Sequence, residues 1–239
     1  MDYIDIYRKR LNRYGTDYLS RVQTQREQLF ESYLLKTVYR VDFEYNGKVH
    51  PGSLERYKQD ETQTLQYLLT RLDLKLPSGT ILEIMSSDGT INRWMIYYLQ
   101  TIEASGYNKY IVLKMTHFLK WKNRKGEKCS TWAYMYGQED NMLKDEIKSR
   151  SRMDTLYTEN LKMSFFVTPM NKNIRKDDYF EVGEEDFIEA YRVTGYDINS
   201  TPGVEYVTVD PVLIRDHSPV PINQDNEDKA EFFWINGGE

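Results

Sequence analysis

From Ile111 to Trp121 apolar and polar side chains alternate. Ile111, Leu113, Met115, His117, Leu119 and Trp121 fall on one face, while Val112, Lys114, Thr116, Phe118 and Lys120 fall on the other. A period of two belongs to a strand, and a helical template would wrap Lys114 and Lys120 into the apolar stripe. The pattern predicts a strand whose first face is a core face, interrupted only by His117. The return segment CSTWAYMY, 129–136, makes it a hairpin with Arg124-Lys125-Gly126-Glu127 as a projecting connection.

Similar patterns recur along much of the chain. YRVDFEY and KVHPG flank Asn46-Gly47, a dipeptide suited to a two-residue hairpin turn because both positions need positive φ. Leu72, Leu74 and Leu76 alternate ahead of Pro77-Ser78-Gly79. ILEIM, the turn SSDG and INRWMIYYL then predict a second hairpin. Further strand patterns lie at 107–122, 129–136, 161–168, 188–196 and 204–209. Such spacing predicts a mainly β fold of α+β type, an antiparallel β-sandwich or barrel, rather than parallel α/β units.

Ahead of the strands the period lengthens. Tyr3, Ile4, Tyr7 and Leu11 share a helical stripe that Gly15 ends. Between Asp17 and Lys36, Val22, Leu29, Phe30, Tyr33 and Leu34 suit a second helix. The polar middle QTQREQ leaves almost a turn without an apolar anchor, so an extended arm lying on a neighbour is the alternative. The expected organisation is an N-terminal helical or extended arm at 1–38, a β-rich core domain at 39–215 and an extended acidic tail at 216–239. The tail holds six acids against one base, Lys229, a local charge of 1 − 6 = −5, and ends in EFFWINGGE. Phe232, Phe233 and Trp234 are costly to leave in water, which predicts that they dock somewhere rather than stay solvated.

Composition narrows the function classes. A chain of 239 residues can bury a core without disulfides, and its single cysteine, Cys129, cannot form an intrachain bridge or a thiolate metal site. No segment approaches the ~20 apolar residues of a membrane span and no secretory signal is visible, so a protein made in the cytoplasm with no membrane partner is expected. The net charge of −5 argues against a whole-molecule nucleic-acid binder. Residues 107–128 run the other way, with seven Lys or Arg against one acid, Glu127, a local charge of +6. Lys122, Arg124, Lys125 and Lys128 at the hairpin tip are candidate contacts for DNA phosphates or an acidic protein surface. The plainer reading is that these lysines keep a sheet edge soluble.

Chemical motifs are sparse. His50, His117 and His217 show no zinc spacing, and for His117 a hydrogen-bonded core histidine is the default. Cys129 reads as a small buried hydrophobe, since nothing in the sequence brings it a histidine. There is no phosphate loop and no dinucleotide fingerprint. DDYFEVGEEDFIEA carries seven carboxylates from Asp177 to Glu189, but without calcium-loop spacing, and reads as a solvated loop. No catalytic residue, metal ligand or cofactor is expected. A nucleic-acid-binding barrel would need Trp94, Tyr97, Trp121 and Trp132 exposed together, and alternation sends Trp121 inward.

The order of features resembles a group of tailed-bacteriophage virion proteins of the neck, where the capsid vertex joins the tail. YRKRLNRYG, LPSGTILEI, INRWMIYYL, YIVLKMTHFLKWKNRKGE, DDYFEV, YRVTGYD and the turn TPG carry the likeness. The resemblance implies a head-tail connector or head-closure protein without enzymatic activity, assembled in the host cytoplasm and resident in the virion. It implies a ring of copies of the chain as partner, together with portal or other neck and tail proteins and packaged DNA in the channel. A tail, baseplate or capsid decoration protein is the alternative, with a virion-associated hydrolase behind it.

Overall fold

The computed structural model describes residues 3–6, 18–57, 64–85, 89–100, 106–136, 164–171, 173–184 and 187–212. The fold is mainly β, two closed six-stranded antiparallel barrels with a short helical part ahead of them. The β-rich span divides between two compact units, one of Met1–Pro77 with Leu82–Val112 and the other of Ser78–Ile81 with Leu113–Glu239.

The first unit opens with helical residues 3–6 and the helix α1, Tyr18–Leu34. Strands β1 (Arg40–Tyr45) and β2 (Lys48–Arg56) form the expected hairpin, with Asn46 and Gly47 at φ of 52° and 70° and Tyr45 opposite Lys48. Strands β3 (Leu65–Thr70), β4 (Ile81–Met85), β5 (Ile91–Gln100) and β6 (Asn108–Met115) complete the barrel in the order β1-β2-β3-β6-β5-β4. Phe43 opposite Ile84 closes it. Phe43, Leu68, Leu82, Ile84, Trp94, Ile96, Tyr110 and Val112 pack as its core.

Leu72, Leu74 and Leu76 prove to lie in irregular backbone after β3, not in a strand. Two side chains of β6 hold that backbone. Asn108 Nδ2 donates to the carbonyls of Arg71, Leu72 and Leu74 at 3.0, 3.1 and 2.8 Å. The Tyr110 hydroxyl donates to the Leu74 carbonyl and accepts from the Leu76 amide, both at 3.1 Å. The connection buries Leu76 in the core and packs Leu74 against it, so its apolar alternation is satisfied without a ladder.

The second unit contains β7 (His117–Lys122), β8 (Lys128–Tyr136), β9 (Ser164–Pro169), β10 (Tyr179–Glu184), β11 (Phe187–Asp197) and β12 (Val204–Val212) in the order β10-β11-β12-β9-β8-β7. Leu119, Trp121, Phe166, Phe180, Tyr191, Val193, Val207 and Val209 fill its interior. The rings meet edge to face, Trp121 on Phe180 at 66° and Phe166 on Tyr191 at 89°, the arrangement that ring quadrupoles favour.

The structure corrects two further expectations. The strand read from Ile111 to Trp121 is two strands, broken at Thr116, with β6 in the first barrel and β7 in the second. The alternation keeps its phase across the break, which hides it. In β6 the even-numbered Tyr110 and Val112 join the barrel core, although Ile111 and Leu113 are as deeply buried. The acidic run from Asp177 is not a solvated loop. It supplies β10 and the start of β11, because Phe180 and Val182 alternate with Glu181 and point into the core.

Candidate functional site

The β7–β8 hairpin places Lys122, Arg124, Lys125 and Lys128 on a defined surface. Its register sets Phe118 opposite Trp132, Lys120 opposite Ser130 and Lys122 opposite Lys128. Leu119 and Trp121 face the core, so strand alternation turns the first set outward. Below the tip, Phe118 and Trp132 touch with centroids 5.0 Å apart, and Lys120 Nζ lies 5.7 Å from the Phe118 ring. The outer face therefore runs from an aromatic pair through a lysine ladder to the tip.

Asn123 organises that tip. Its Oδ1 accepts from the amides of Lys125 and Glu127 at 3.0 Å each, and its Nδ2 donates to Glu127 Oε2 at 2.7 Å. The Asn123 amide donates to the Glu127 carbonyl at 3.0 Å, and the Gly126 amide returns to the Asn123 carbonyl at 2.8 Å. Gly126 stands at φ of 77°, which a residue without Cβ adopts at little cost. Asn123 is buried while Arg124, Lys125 and Lys128 are exposed and Lys122 is half-buried. The tip thus presents its cations on an ordered turn rather than a loose loop. Lys122 opposite Lys128 is a like-charge cross-strand pair, an arrangement that costs stability on its own.

Beside the hairpin lies Glu181 of β10, opposite Lys120. It is 9% exposed, and its Oε2 is buried without a hydrogen-bond partner among the described residues. Burial pushes its pKa up to about 8, partly countered by the charge of Lys120. The carboxyl is therefore held in its neutral form near neutral pH. Asp178 is also raised by burial, with the charge of Arg124 among the influences pulling it back.

The first unit carries a separate surface around α1. Phe30 and Leu34 pack with Leu69, and Phe30 meets the ring of Tyr107 at 5.2 Å. The Tyr33 hydroxyl donates to Glu55 at 2.6 Å, and Arg71 pairs with Glu31 through two bonds of 2.6 and 2.8 Å. Gly106 makes this docking possible, since a Cβ there would stand 2.5 Å from the carbonyl carbon of Arg26. Arg26, Leu29, Phe30, Tyr33, Leu69 and Tyr107 border an open groove of about 410 Å³. The helix expected between Asp17 and Lys36 is present as α1, and its polar middle does not interrupt it.

The remaining candidates fall apart spatially or chemically. His117 Nδ1 pairs with Thr116 Oγ1 at 2.8 Å, and burial lowers its pKa against the opposing charge of Glu189. His50 lies within β2, beside the rings of Phe43 and Tyr45. Cys129 is partly exposed and packs against the core, and burial raises its thiol pKa. Among the described residues no three His, Cys, Asp or Glu side chains are grouped to hold a metal. Trp94, Tyr97 and Trp121 are buried, so they offer no stacking platform. Phe232, Phe233, Trp234 and His217 lie outside the described residues. Asn123 escapes the sequence patterns above, though an Asn ahead of a Lys-Gly turn is the signal that could have found it.

No family model matches this chain, and no curated protein matches it. Among solved structures, K. pneumonia MrkH in its apo state is similar at 10% identity and a TM-score of 0.24, over 80% of this chain and 85% of that one. The K. pneumonia MrkH-c-di-GMP complex is similar at 9% identity and a TM-score of 0.25, over 80% and 87% of the two chains. Likeness at this level carries no argument about ligand or activity.

Proposed function

We propose that this chain is a non-enzymatic structural protein of a tailed-bacteriophage virion, a ring-forming neck component between the capsid portal and the tail. The observation that supports assembly most directly is the apolar surface of α1 and the residues after it. Tyr18 and Leu19 are each 77% exposed, Leu29 63%, Leu35 77% and Val38 89%. Tyr18, Val22 and Leu29 follow one line at helical spacing, beside the stripe that Phe30 and Leu34 bury. The apolar arc of the helix is thus wider than the part its barrel covers, as expected of a helix that also meets another chain. The neck assignment itself rests on the sequence resemblance.

The mass of the purified chain in solution, alone and with a portal ring, tests the reading. A ring, or a complex with the portal, is expected. A strict monomer that ignores the portal at high concentration would sink it. Association with tail-tube or capsid-lattice protein in place of the portal would favour the tail, baseplate or decoration alternative.

A further inference from the structure

We infer that the seam between β7 and β10, where the second barrel closes, is a proton-operated latch: it holds while the Glu181 carboxyl keeps its proton and parts locally when that proton leaves. The device lies within the second unit and operates whether or not the chain belongs to a neck. Closed, the barrel has no sheet edge. Parted, it has two.

The strand β10 is tied unequally on its two sides. Toward β11 it is laddered from Tyr179 opposite Arg192 to Glu184 opposite Phe187, and the amides of Asp177 and Val193 add bonds of 2.8 Å to the carbonyls of Val193 and Asp178. Toward β7, among the described residues, its register consists of Glu181 opposite Lys120. Inside the barrel the same join is packed by Trp121 of β7 against Phe180 of β10, with centroids 5.4 Å apart. The β7 side is therefore the one that opens first.

Glu181 is placed to decide whether the seam holds. Phe180 and Val182 point into the core, so alternation turns Glu181 to the outer side, yet it is 9% exposed and its Oε2 meets no hydrogen-bond donor among the described residues. A buried carboxyl without donors is tolerated best while neutral. Among the described residues, the charged and titratable groups on its side are Lys120 and Lys122 on β7, Arg192 on β11 and Tyr179 on β10, while Glu189 and His117 lie with Tyr191 and Phe166 on the inner side. Burial prevails over the charge of Lys120 and keeps the proton on up to about pH 8. Asp178, ahead of β10, repeats the arrangement: it is 2% exposed, and burial raises it against the charges of Arg124 and Arg175. Ionised, Glu181 carries a charge that no donor there receives, and parting from β7 returns it to water.

Amide exchange of the full chain from about pH 5 to about pH 9.5, with each rate divided by its intrinsic rate at that pH, tests the latch. Opening at residues 118–122 and 179–183 should rise by up to about tenfold per pH unit below about 8 and level off above it, while β1 and β2 keep one protection level throughout. Glu181→Gln should flatten the rise. Lys120→Met, which removes the charge that favours ionisation, should carry the levelling point to higher pH. The same rise in Glu181→Gln would overturn the inference, as would a rise shared equally by β11 and β12, which would mean that the barrel unfolds as a whole with no separate seam. Should Glu181→Gln fail to fold, Lys120→Met decides, and an unmoved levelling point overturns the latch.

Discussion

Glu181 on β10 stands opposite Lys120 on β7, and that register pair is where the second barrel closes. A carboxyl facing a lysine across a ladder would ordinarily be ionised. Burial outweighs the lysine at this position and raises the pKa to about 8.

The consequence for stability has a definite sign. Below pH 4.5 the carboxyl is protonated folded and unfolded alike, and between 4.5 and about 8 only the folded chain keeps the proton. Raising pH through that window therefore destabilises the fold, by up to ~1.4 kcal/mol per pH unit. Above it the cost is fully present. Urea unfolding at pH 5 and pH 9 should show Glu181→Gln losing on the order of 2–4 kcal/mol less than the natural chain. Equal losses would exclude Glu181 as the cause.

Asn123→Ala should destabilise the second barrel by about 1–3 kcal/mol, because the amides of Lys125 and Glu127 and the carboxylate of Glu127 lose their partner together. Thermal unfolding measures the loss. Amide exchange should quicken at residues 125 and 127 before it does in the strands.

Gly106→Ala should cost ~1–3 kcal/mol, since the new methyl would sit 2.5 Å from the backbone of Arg26 and α1 must shift to admit it. Hydrogen exchange over residues 26–34 should rise. The β1–β2 hairpin should stay protected, which separates loss of the helix from loss of the barrel.

Deleting residues 230–239 should lower the assembled fraction while leaving the unfolding transition of the barrels in place. Light scattering and urea denaturation on the same samples check both halves. Unchanged assembly would count against the tail as a fastening element.

Local sequence is most legible where one residue type meets one conformational need. Asn46-Gly47 announces the β1–β2 turn, and the return at 129–136 announces the basic hairpin, because positive φ and strict alternation leave strong traces. The two-barrel division is not legible. Ile111 to Trp121 keeps one alternating phase although Thr116 separates strands of different barrels, and periodicity records faces, not which core a face belongs to. β10 hides because Glu181 and its acidic neighbours suggest solvation, whereas the deciding residues are Phe180 and Val182 between them. β3 hides for a simpler reason: the leucines that alternate most cleanly, from Leu72, come after the strand rather than form it.

In the connection from Arg71 to Leu76, side chains take over the work of a ladder. Its carbonyls are fastened to Asn108 and Tyr110, so the segment cannot slacken unless β6 releases it. A protease meeting this chain would find an apparent linker that behaves like framework, opening to cleavage only as the barrel itself comes apart.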